Sequence, residues 1–486
     1  MKKLLSIFAI TVILVGCSKG DDPQPKPETD SITITSGSSI TFQSEESTGT
    51  ITFNSNVSWK ASATESWVEL SPTSGAAGSA SITVKVKENE STDERNASVT
   101  ISGGSDSAMV KITQKQKAVY TKIFYTSTDG KIVEPTQLKA WDIDERELKY
   151  TNTYGEEGGV IEFDGIVHVI DLSFRSIYEP NKQLLTFNGI SNEVNLLSSF
   201  CMFEYCTSLK LIDLSNFNMK NVTNMSAMFW YCSSLQTLDL GILNTENVTD
   251  MSCMFGDCSS LQELDLGNFK TENVMNMSAM FQNCSSLKTL DLGNFNTRNV
   301  TDLGGMFTHC SSLQTIDLSD FNTENVTDLC GMFNGCSSLQ TIDLGNFNTE
   351  NVTDMSFMFN GCFSLQALDL GNFNTEKVTN MKAMFQSCSS LQTLDLGNFN
   401  TENVTDLCGM FNDCSSLQEL DLGNFNTENV TDMSVMFQSC SSLQTLNLGS
   451  FNTKKVTDVS FMFNGCSSLQ ELDLGNFKTE NVMNMS

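Results

Sequence analysis

Residues 423–477 read GNFNTENVTDMSVMFQSCSSLQTLNLGSFNTKKVTDVSFMFNGCSSLQELDLGNF. This stretch contains two copies of one sequence repeat, and the repeat recurs with small changes every 26 residues along more than half of the chain. One cysteine in each copy marks the period: Cys206, Cys232, Cys258, Cys284, Cys310, Cys336, Cys362, Cys388, Cys414, Cys440 and Cys466. Eleven copies at one spacing are typical of a solenoid, in which each copy is one coil and neighbouring coils share a core.

The repeating unit, SSLQxLDLGNFNTENVTDMSxMFxxC, favours a coil that contains a short strand. Leu264 and Leu266 are two residues apart and therefore point to one face, with Asp265 on the other. A helical hairpin is disfavoured, because Gly, Asn and Thr are poor helix formers and the unit is short for two helices. Only the TDMSxMF segment has room for a helical turn, which Thr or Asp could cap.

The cysteine positions allow two interpretations. Stacked strands lie about 4.8 Å apart, and disulfides accept Cα separations of about 5 Å. The spacing therefore allows disulfides between the cysteines of neighbouring coils. However, the number of these cysteines is odd and each lies next to Phe and Ser residues, which favours a ladder of small free thiols in the core. Zinc is disfavoured because CxxC and Cys/His clusters are absent from the sequence.

Acidic residues form two rows. From residue 201 onward the chain has 32 Asp and Glu against 10 Lys and Arg. The first row lies between the two strand leucines: Asp213, Asp239, Asp265, Asp291, Asp317, Asp343, Asp369, Asp395, Asp421 and Asp473, with Asn447 as the exception. The second row lies in the VTD turn: Asp250, Asp302, Asp328, Asp354, Asp406, Asp432 and Asp458.

Two interpretations of these acidic rows remain open. A solvated face would keep the array soluble. Alternatively, charges about 4.8 Å apart repel by roughly 0.9 kcal/mol in water, and that repulsion favours compensation by cations, hydrogen bonds or a basic partner. The first row is thus a candidate ladder for diffuse, weak calcium or ligand binding, without a dedicated calcium loop.

Composition excludes several function classes. The net charge of −30 argues against nucleic acid and against an anionic membrane surface as partners. Two histidines, His168 and His309, leave little acid–base chemistry near neutral pH. Paired carboxylates can hydrolyse glycosides, but identical coils do not create two acids in different environments. We therefore predict no enzyme activity, no catalytic residues and no cofactor.

The N-terminus predicts an exported protein. Lys2 and Lys3 precede the apolar run 4–15, which is too short to span a bilayer and indicates a signal peptide over residues 1–17. Its end, LVGC, resembles a bacterial lipobox, which implies lipidation of Cys17 and anchoring in a membrane. The Pro-rich segment 18–30 predicts a disordered tether.

Residues 31–116 alternate apolar and polar residues between turn signals, which predicts an all-β sandwich. Trp59 and Trp67 are expected to fill its core, and stacking of these rings on a glycan is the alternative. Short strand-like segments over 117–200 predict a β-rich cap for the first coil. Residues 201–486 form the predicted solenoid.

The motif ELDLGNFKTENVMNMS occurs at 263–278 and again at 471–486. Its second copy stops in the middle of a coil, although terminal coils normally need a cap. We therefore expect that the natural protein is longer than this sequence.

The segments SWVELSPTSGAAG, NASVTIS and KITQKQ resemble a BACON domain, and the repeat resembles the BspA-like (DUF285) branch of leucine-rich-repeat proteins. Lys19, Asp21 and Asp22 are similar to the acidic export signal of Bacteroidetes lipoproteins. Together these resemblances imply a surface-exposed outer-membrane lipoprotein.

The fold class predicted is thus mainly β, with a sandwich followed by a leucine-rich-repeat-like solenoid of 26-residue coils. The BACON resemblance implies that the sandwich is immunoglobulin-like. The predicted function is adhesion to, or binding of, host extracellular matrix proteins, glycans or other cells. A structural stalk without a ligand and polysaccharide capture by the BACON-like segment are the alternatives. The sequence does not decide the oligomeric state.

Overall fold

The computed structural model describes residues 29–91, 93–117, 120–175, 183–241 and 243–485. The chain divides into two compact units, Met1–Val119 and Tyr120–Ser486. The predicted signal peptide, Cys17 and most of the predicted tether lie outside the described residues. Within the described ranges, no helix is long and apolar enough to cross a bilayer.

The first unit consists of two sheets. Its strands are β1 (Ile32–Ile34), β2 (Ser39–Phe42), β3 (Ser47–Ser55), β4 (Trp59–Ala63), β5 (Val68–Ser71), β6 (Ser74–Gly75), β7 (Gly78–Val86), β8 (Arg95–Gly103) and β9 (Asp106–Gln114). One sheet has the order β1-β3-β7-β5, and the other has the order β2-β9-β8-β4-β6. All pairs are antiparallel except β2 with β9.

Alternation along these strands explains why the two sheets pack together. In β3, Ile51 and Phe53 are buried while Thr50 and Asn54 face solvent. The buried residues of both sheets form one apolar cluster. An apolar face that each sheet could not bury alone is thus shared between the two, as in other β-sandwiches.

The second unit begins with seven strands: β10 (Lys122–Ser127), β11 (Gln137–Trp141), β12 (Tyr150–Gly155), β13 (Gly158–Phe163), β14 (Val169–Ser173), β15 (Leu184–Ile190) and β16 (Val194–Leu196). Strands β12, β13, β10 and β15 pair antiparallel in that order, and β11 pairs antiparallel with β14. The pairs β14 with β16 and β15 with β17 (Leu211–Ile212) are parallel. The same apolar cluster runs from this region into the coils. Pairing therefore changes from antiparallel to parallel where the repeats begin.

Regular strands are sparse in the coils that follow. After β17 the structure has β18 (Phe217–Asn218), β19 (Glu419–Asp421) and β20 (Thr445–Asn447). Leu264 and Leu266 are buried and Asp265 is exposed, so the predicted alternation is confirmed. Neighbouring coils are joined by parallel bridges at the last residue of the VTD, VTN or VMN triplet, from Asn224 through to Asn484.

The predicted helical turn in TDMSxMF is wrong, because the described residues of this segment form turns and no helix. Cys253 has φ 55° and Asp257 has φ 58°, both in the left-handed region that interrupts a helix. Alternate N–H groups donate to the next coil, as Cys253 does to Ser278 at 2.9 Å. Backbone hydrogen bonds between coils thus replace the i to i−4 hydrogen bonds of a helix.

Columns of identical side chains fill the interior. Phe281 lies between Phe255 and Phe307, with ring centroids 5.7 and 5.8 Å away and ring planes within 8°. The same stacking continues from Phe229 to Phe463. The mainly β fold class predicted from the sequence is confirmed.

Candidate functional site

The first acidic row is exposed, and its carboxylates stabilise turns. Oδ1 of Asp265 accepts a hydrogen bond from the backbone N–H of Gly267 at 2.9 Å. All the remaining Asp residues of the row accept the equivalent bond, with donor–acceptor distances of 2.8 to 3.0 Å. At Asp317 the bonds from Ser319 lower the pKa of the carboxyl. One oxygen of each carboxylate is therefore engaged locally, and the other remains available to solvent or to a ligand.

An open groove of about 700 Å³ runs beside part of this row and includes Asp369, Asp395 and Asp421 in its lining. Asn447, the exception in the row, donates from Nδ2 to Oδ1 of Asp421 at 2.7 Å. That contact shows that side chains of adjacent coils are within hydrogen-bonding reach along the row. The prediction of weak cation binding here stays a prediction.

The second acidic row is half-buried at the parallel bridges between coils. Oδ1 of Asp250 accepts from both the N–H and the hydroxyl of Ser252, at 2.9 and 2.7 Å. In two coils a cysteine replaces that serine. There burial raises the pKa of Asp328 and of Asp406, and the charges of neighbouring carboxylates in the row raise it further.

Asp406, Cys408 and Asp432 place three potential ligand atoms within 4.8 Å of one another. Burial raises the pKa of the Cys408 thiol, so it remains protonated near neutral pH. A protonated thiol is a poor metal ligand, and hard cations such as Ca²⁺ prefer oxygen. We therefore assign these three residues to a partly buried turn and not to a metal site.

The cysteine ladder has a structural role in the described coils. The Cys258 thiol is buried and donates to the carbonyl of Phe229, in the preceding coil, at 3.2 Å. All other ladder members make the equivalent bond, with Sγ–O distances of 3.0 to 3.5 Å. Burial raises the pKa of Cys258 to about 12, which makes the thiol unreactive.

The two tryptophans of the first unit differ. Trp59 is only 4% exposed and packs edge-on against Phe53 at 4.9 Å. It fills the core as expected, and its role as a glycan platform is wrong because a buried ring has no free face. Trp67 is partly buried with the Arg95 guanidinium 4.4 Å from its ring centroid, so Arg95 occupies one face.

Sequence reasoning missed a third surface, the Asn-Val-Thr rows. Asn247 and Thr249 lie on the outside, because Val248 between them is fully buried. The exposed side chains line an open groove of about 820 Å³ that extends from Asn221 to Asn325. We refer to this surface as the Asn–Thr groove. Its signal in the sequence was a polar–apolar–polar triplet recurring with the period of the coils.

A second missed feature breaks the repetition. Tyr205, Trp230 and Tyr231 stand where later coils have small or polar residues, and they form a partly exposed aromatic cluster. The two tyrosine rings stack at 4.5 Å, and the indole N–H of Trp230 donates to Asp257 at 3.1 Å. This packing covers the edge of the first coils.

Comparison with known families gives two matches. Residues 198–316, 301–419 and 390–486 each match the family described as "Mycoplasma protein of unknown function, DUF285". Residues 57–115 match the BACON family, described as "Putative binding domain, N-terminal". The three repeat matches together span more than half of the chain.

Comparison with individual proteins adds little. No functionally curated protein matches the chain. Among the solved structures that match is a Bacteroides ovatus GH5 xyloglucanase in complex with a XXXG heptasaccharide, at 27% identity and a TM-score of 0.17. That match covers 18% of this chain and 20% of the xyloglucanase chain, and at such a TM-score it carries no argument about fold or function.

Proposed function

Because this chain belongs to the DUF285 family and also carries a BACON domain, we propose that it is a surface-exposed lipoprotein of the outer membrane. In this proposal its repeat array mediates adhesion by binding host matrix proteins, glycans or other cells. The two families suggest a binding protein of the cell surface. The proposed ligand classes go beyond what family membership says.

The observation that supports adhesion is the repetition of equivalent exposed groups. Every coil except that of Asn447 presents an Asp on one exposed face, and most coils present an Asn–Thr pair on another. A contact that is weak in one coil is made again by its neighbours, and linked contacts add through effective concentration. A stalk without a ligand would need the atoms of these groups that bond within the array, but it would not need the second Asp oxygen and the Asn Oδ1 that those bonds leave exposed.

Anchoring is proposed through Cys17, which follows the apolar segment of the predicted signal peptide. Lipid on this cysteine would hold the chain in the membrane, and a multiply acylated residue anchors firmly. Substitution Cys17→Ala is expected to abolish incorporation of labelled fatty acid and to release the protein from the cell. We assign the protein no catalytic role and no cofactor.

The test compares cells that display the full chain with cells from which the gene has been deleted. Both are applied to immobilised fibronectin, fibrinogen or mucin, at physiological salt and at raised salt. We expect the displaying cells to adhere and to remain bound when salt is raised, since the proposed contacts include neutral hydrogen bonds. Equal adhesion of the two strains, or adhesion that disappears with a modest rise in salt, would support the stalk and overturn the proposal.

A further inference from the structure

The Asn row of the Asn–Thr groove keeps hydrogen-bonding capacity on its exposed side. Asn247 and Asn273 each donate one Nδ2 hydrogen to a backbone carbonyl of the preceding coil, at 2.8 Å in both cases. An amide side chain has two N–H donors and one acceptor oxygen. Each exposed Asn therefore retains one N–H and its Oδ1, on an amide whose orientation is already fixed.

Two lysines further along the array show that this oxygen accepts a donor from a neighbouring coil. Lys377 occupies the Asn position of its coil, and its Nζ donates to Oδ1 of Asn351 at 2.7 Å. Lys455 donates to Asn429 in the same way, also at 2.7 Å. At these two coils the chain supplies the kind of donor that a ligand hydroxyl would supply in the groove.

The Thr row offers an acceptor and an apolar group. Thr249 donates its hydroxyl hydrogen to the carbonyl of Thr223 at 3.1 Å, and its backbone N–H donates to the same carbonyl at 2.8 Å. The hydroxyl oxygen still accepts, and the methyl group remains for contact with the C–H face of a sugar. Met275, 52% exposed, adds an apolar side chain in the middle of the groove.

These contacts disfavour a polypeptide strand as ligand. An extended peptide adds to a sheet by pairing with free backbone groups at an edge. At the Thr row the backbone N–H groups donate to the preceding coil, as Thr301 does to Met275 at 2.9 Å. Recognition at the Asn–Thr groove therefore uses side chains, which suits a ligand rich in hydroxyl groups.

Charge disfavours an anionic polymer. The groove is lined by Asn, Thr and Met275, all neutral. The exposed residues that precede the Asn positions of the groove carry both signs of charge: Glu246, Glu272 and Glu324, and also Lys220 and Arg298. Arg298 is paired with Glu324 at 3.7 Å. Because carboxylates outnumber basic groups beside a neutral lining, phosphate, sulfate and uronate groups are repelled on balance, which favours an uncharged ligand.

Spacing selects the shape of the ligand. Neighbouring coils are joined as parallel strands are, which lie about 4.8 Å apart. An extended, β-linked glycan advances along its axis by a closely similar distance for each sugar residue. The Asn row runs without interruption through six coils, from Asn221 to Asn351, before Lys377 ends it.

From these observations we propose that the Asn–Thr groove binds a linear, uncharged, β-linked glycan that lies along the stack with one sugar residue for each coil. The Asn side chains bond to the sugar hydroxyls, and the Thr methyl groups and Met275 contact the ring faces. This inference rests on the proposed surface-binding function and specifies the ligand class for one surface of the array.

The test uses the full chain and two matched variants, titrated with unbranched β-1,4-linked gluco-, manno- and xylo-oligosaccharides of increasing length in a calorimeter. Asn273→Lys puts a lysine in the middle of the six-coil run, a change that the fold accepts at 377 and 455. Asn403→Lys makes the same change between those two lysines, outside the groove. Circular dichroism confirms that both variants fold.

We expect affinity for at least one of these glycans to rise with chain length and to level off near five sugar residues, because five Asn residues line the groove and Lys377 occupies Oδ1 of the sixth, Asn351. Asn273→Lys should weaken binding about tenfold, which corresponds to losing one or two hydrogen bonds of ordinary strength. Asn403→Lys should leave the affinity within about twofold of the unsubstituted chain, since a surface change away from the groove has little effect.

Absence of glycan binding, or equal weakening by both variants, would overturn the assignment to this groove. If the chain binds none of these glycans but cells that display it still adhere to mucin, the adhesion proposal stands and the groove assignment fails. If neither adhesion nor glycan binding is detected, both fail.

Discussion

The sandwich and the repeat array bury apolar side chains in different ways. In the sandwich, β3 pairs with β7 along nine residues, from Ser47↔Val86 to Ser55↔Gly78, and each core position is filled by a different residue. In the array, each coil repeats the same contacts with its two neighbours, as in the Phe and Cys columns. The sandwich is therefore expected to unfold as one cooperative unit, whereas the array depends on interactions between nearest neighbours.

This difference also affects where binding can evolve. In the sandwich a surface change occurs once, next to a core that depends on every strand. In the array, exposed positions such as Asn273 and Lys377 can differ between coils while the buried columns stay the same. A repetitive interior thus allows an extended surface to vary coil by coil.

The largest expected effect is in the core of the array. Phe281→Ala removes a fully buried ring from the middle of the Phe column and should cost about 3–5 kcal/mol of unfolding free energy. Hydrogen exchange should accelerate in the adjacent coils and stay unchanged in the sandwich. Phe363→Ala, at a 49% exposed position, is the control and should have little effect. Loss of protection in the sandwich would contradict the independence of the two regions.

A close contact in the sandwich allows the opposite test, in which the sandwich is destabilised and the array is not. A Cβ at Gly75 would lie 2.6 Å from Cζ2 of Trp59, so Gly75→Ala forces the buried indole to shift. Overpacking of this kind costs about 1–3 kcal/mol. The melting of the sandwich should shift as a whole, while exchange in the coils is unaltered. The neighbouring exposed substitution Ser74→Ala should leave the sandwich unchanged, and a similar shift for both would rule out the steric explanation.

Hydrogen bonds between coils can be compared at two threonines. Buried Thr297 donates to the carbonyl of Asn322 at 2.9 Å and accepts from its N–H at 2.8 Å. Thr297→Val leaves both backbone groups without that partner and should cost about 2–3 kcal/mol. Exposed Thr301→Val loses one bond to Met275 where water can replace it, and should cost under about 0.5 kcal/mol. Denaturant titration measures both, and equal costs would contradict the argument.

The smallest effects concern the second acidic row, and they should have opposite signs. Burial raises the pKa of Asp406, so the folded state binds more protons than the unfolded state just above the unfolded pKa, and stability falls as pH rises through that window. Asp406→Asn should therefore stabilise the array at pH 7. Asn occupies the same position at Asn380, where its Oδ1 still accepts from the N–H two residues on.

At Asp458, hydrogen bonds from Ser460 lower the pKa of the carboxyl. A lowered folded pKa contributes stability that is present above the unfolded pKa and is lost as pH falls through the folded pKa. Asp458→Asn should therefore destabilise the array at pH 7. Melting temperatures of the two variants between pH 3 and pH 7 measure these effects, and shifts of the same sign at neutral pH would contradict the burial argument.

Sequence reasoning succeeded where periodicity is informative. The 26-residue period, the buried leucines and the core position of Trp59 follow from apolar spacing, because each such residue must be removed from water. It failed at TDMSxMF, where local propensity suggested a helical turn. In the folded coil, positive φ angles at residues such as Cys253 interrupt a helix, and the backbone N–H groups bond to the next coil instead.

The candidate site was harder to predict than the fold. The first acidic row was recognised by its charge, and hydrogen bonds were among the expected compensations, but their partners in the following turn were not predicted. The NVT tripeptides gave no prediction of a binding surface, because neutral polar residues carry no charge or hydrophobic signal. Their arrangement as a groove depends on which atoms are already bonded between coils, as with Asn247 and Thr249.

The sequence by itself determined the period of the array, the composition of its interior columns and the alternating core of the sandwich. These follow from the spacing of apolar residues along the chain, which is a local property. Only the tertiary structure decided which polar groups remain free: the stacking of coils engages some donors and acceptors and leaves others facing outward. That distinction separates a turn-forming Asp from a surface Asn that can bind a ligand, because hydrogen bonds between residues 25 to 27 apart exist only after the chain has wound.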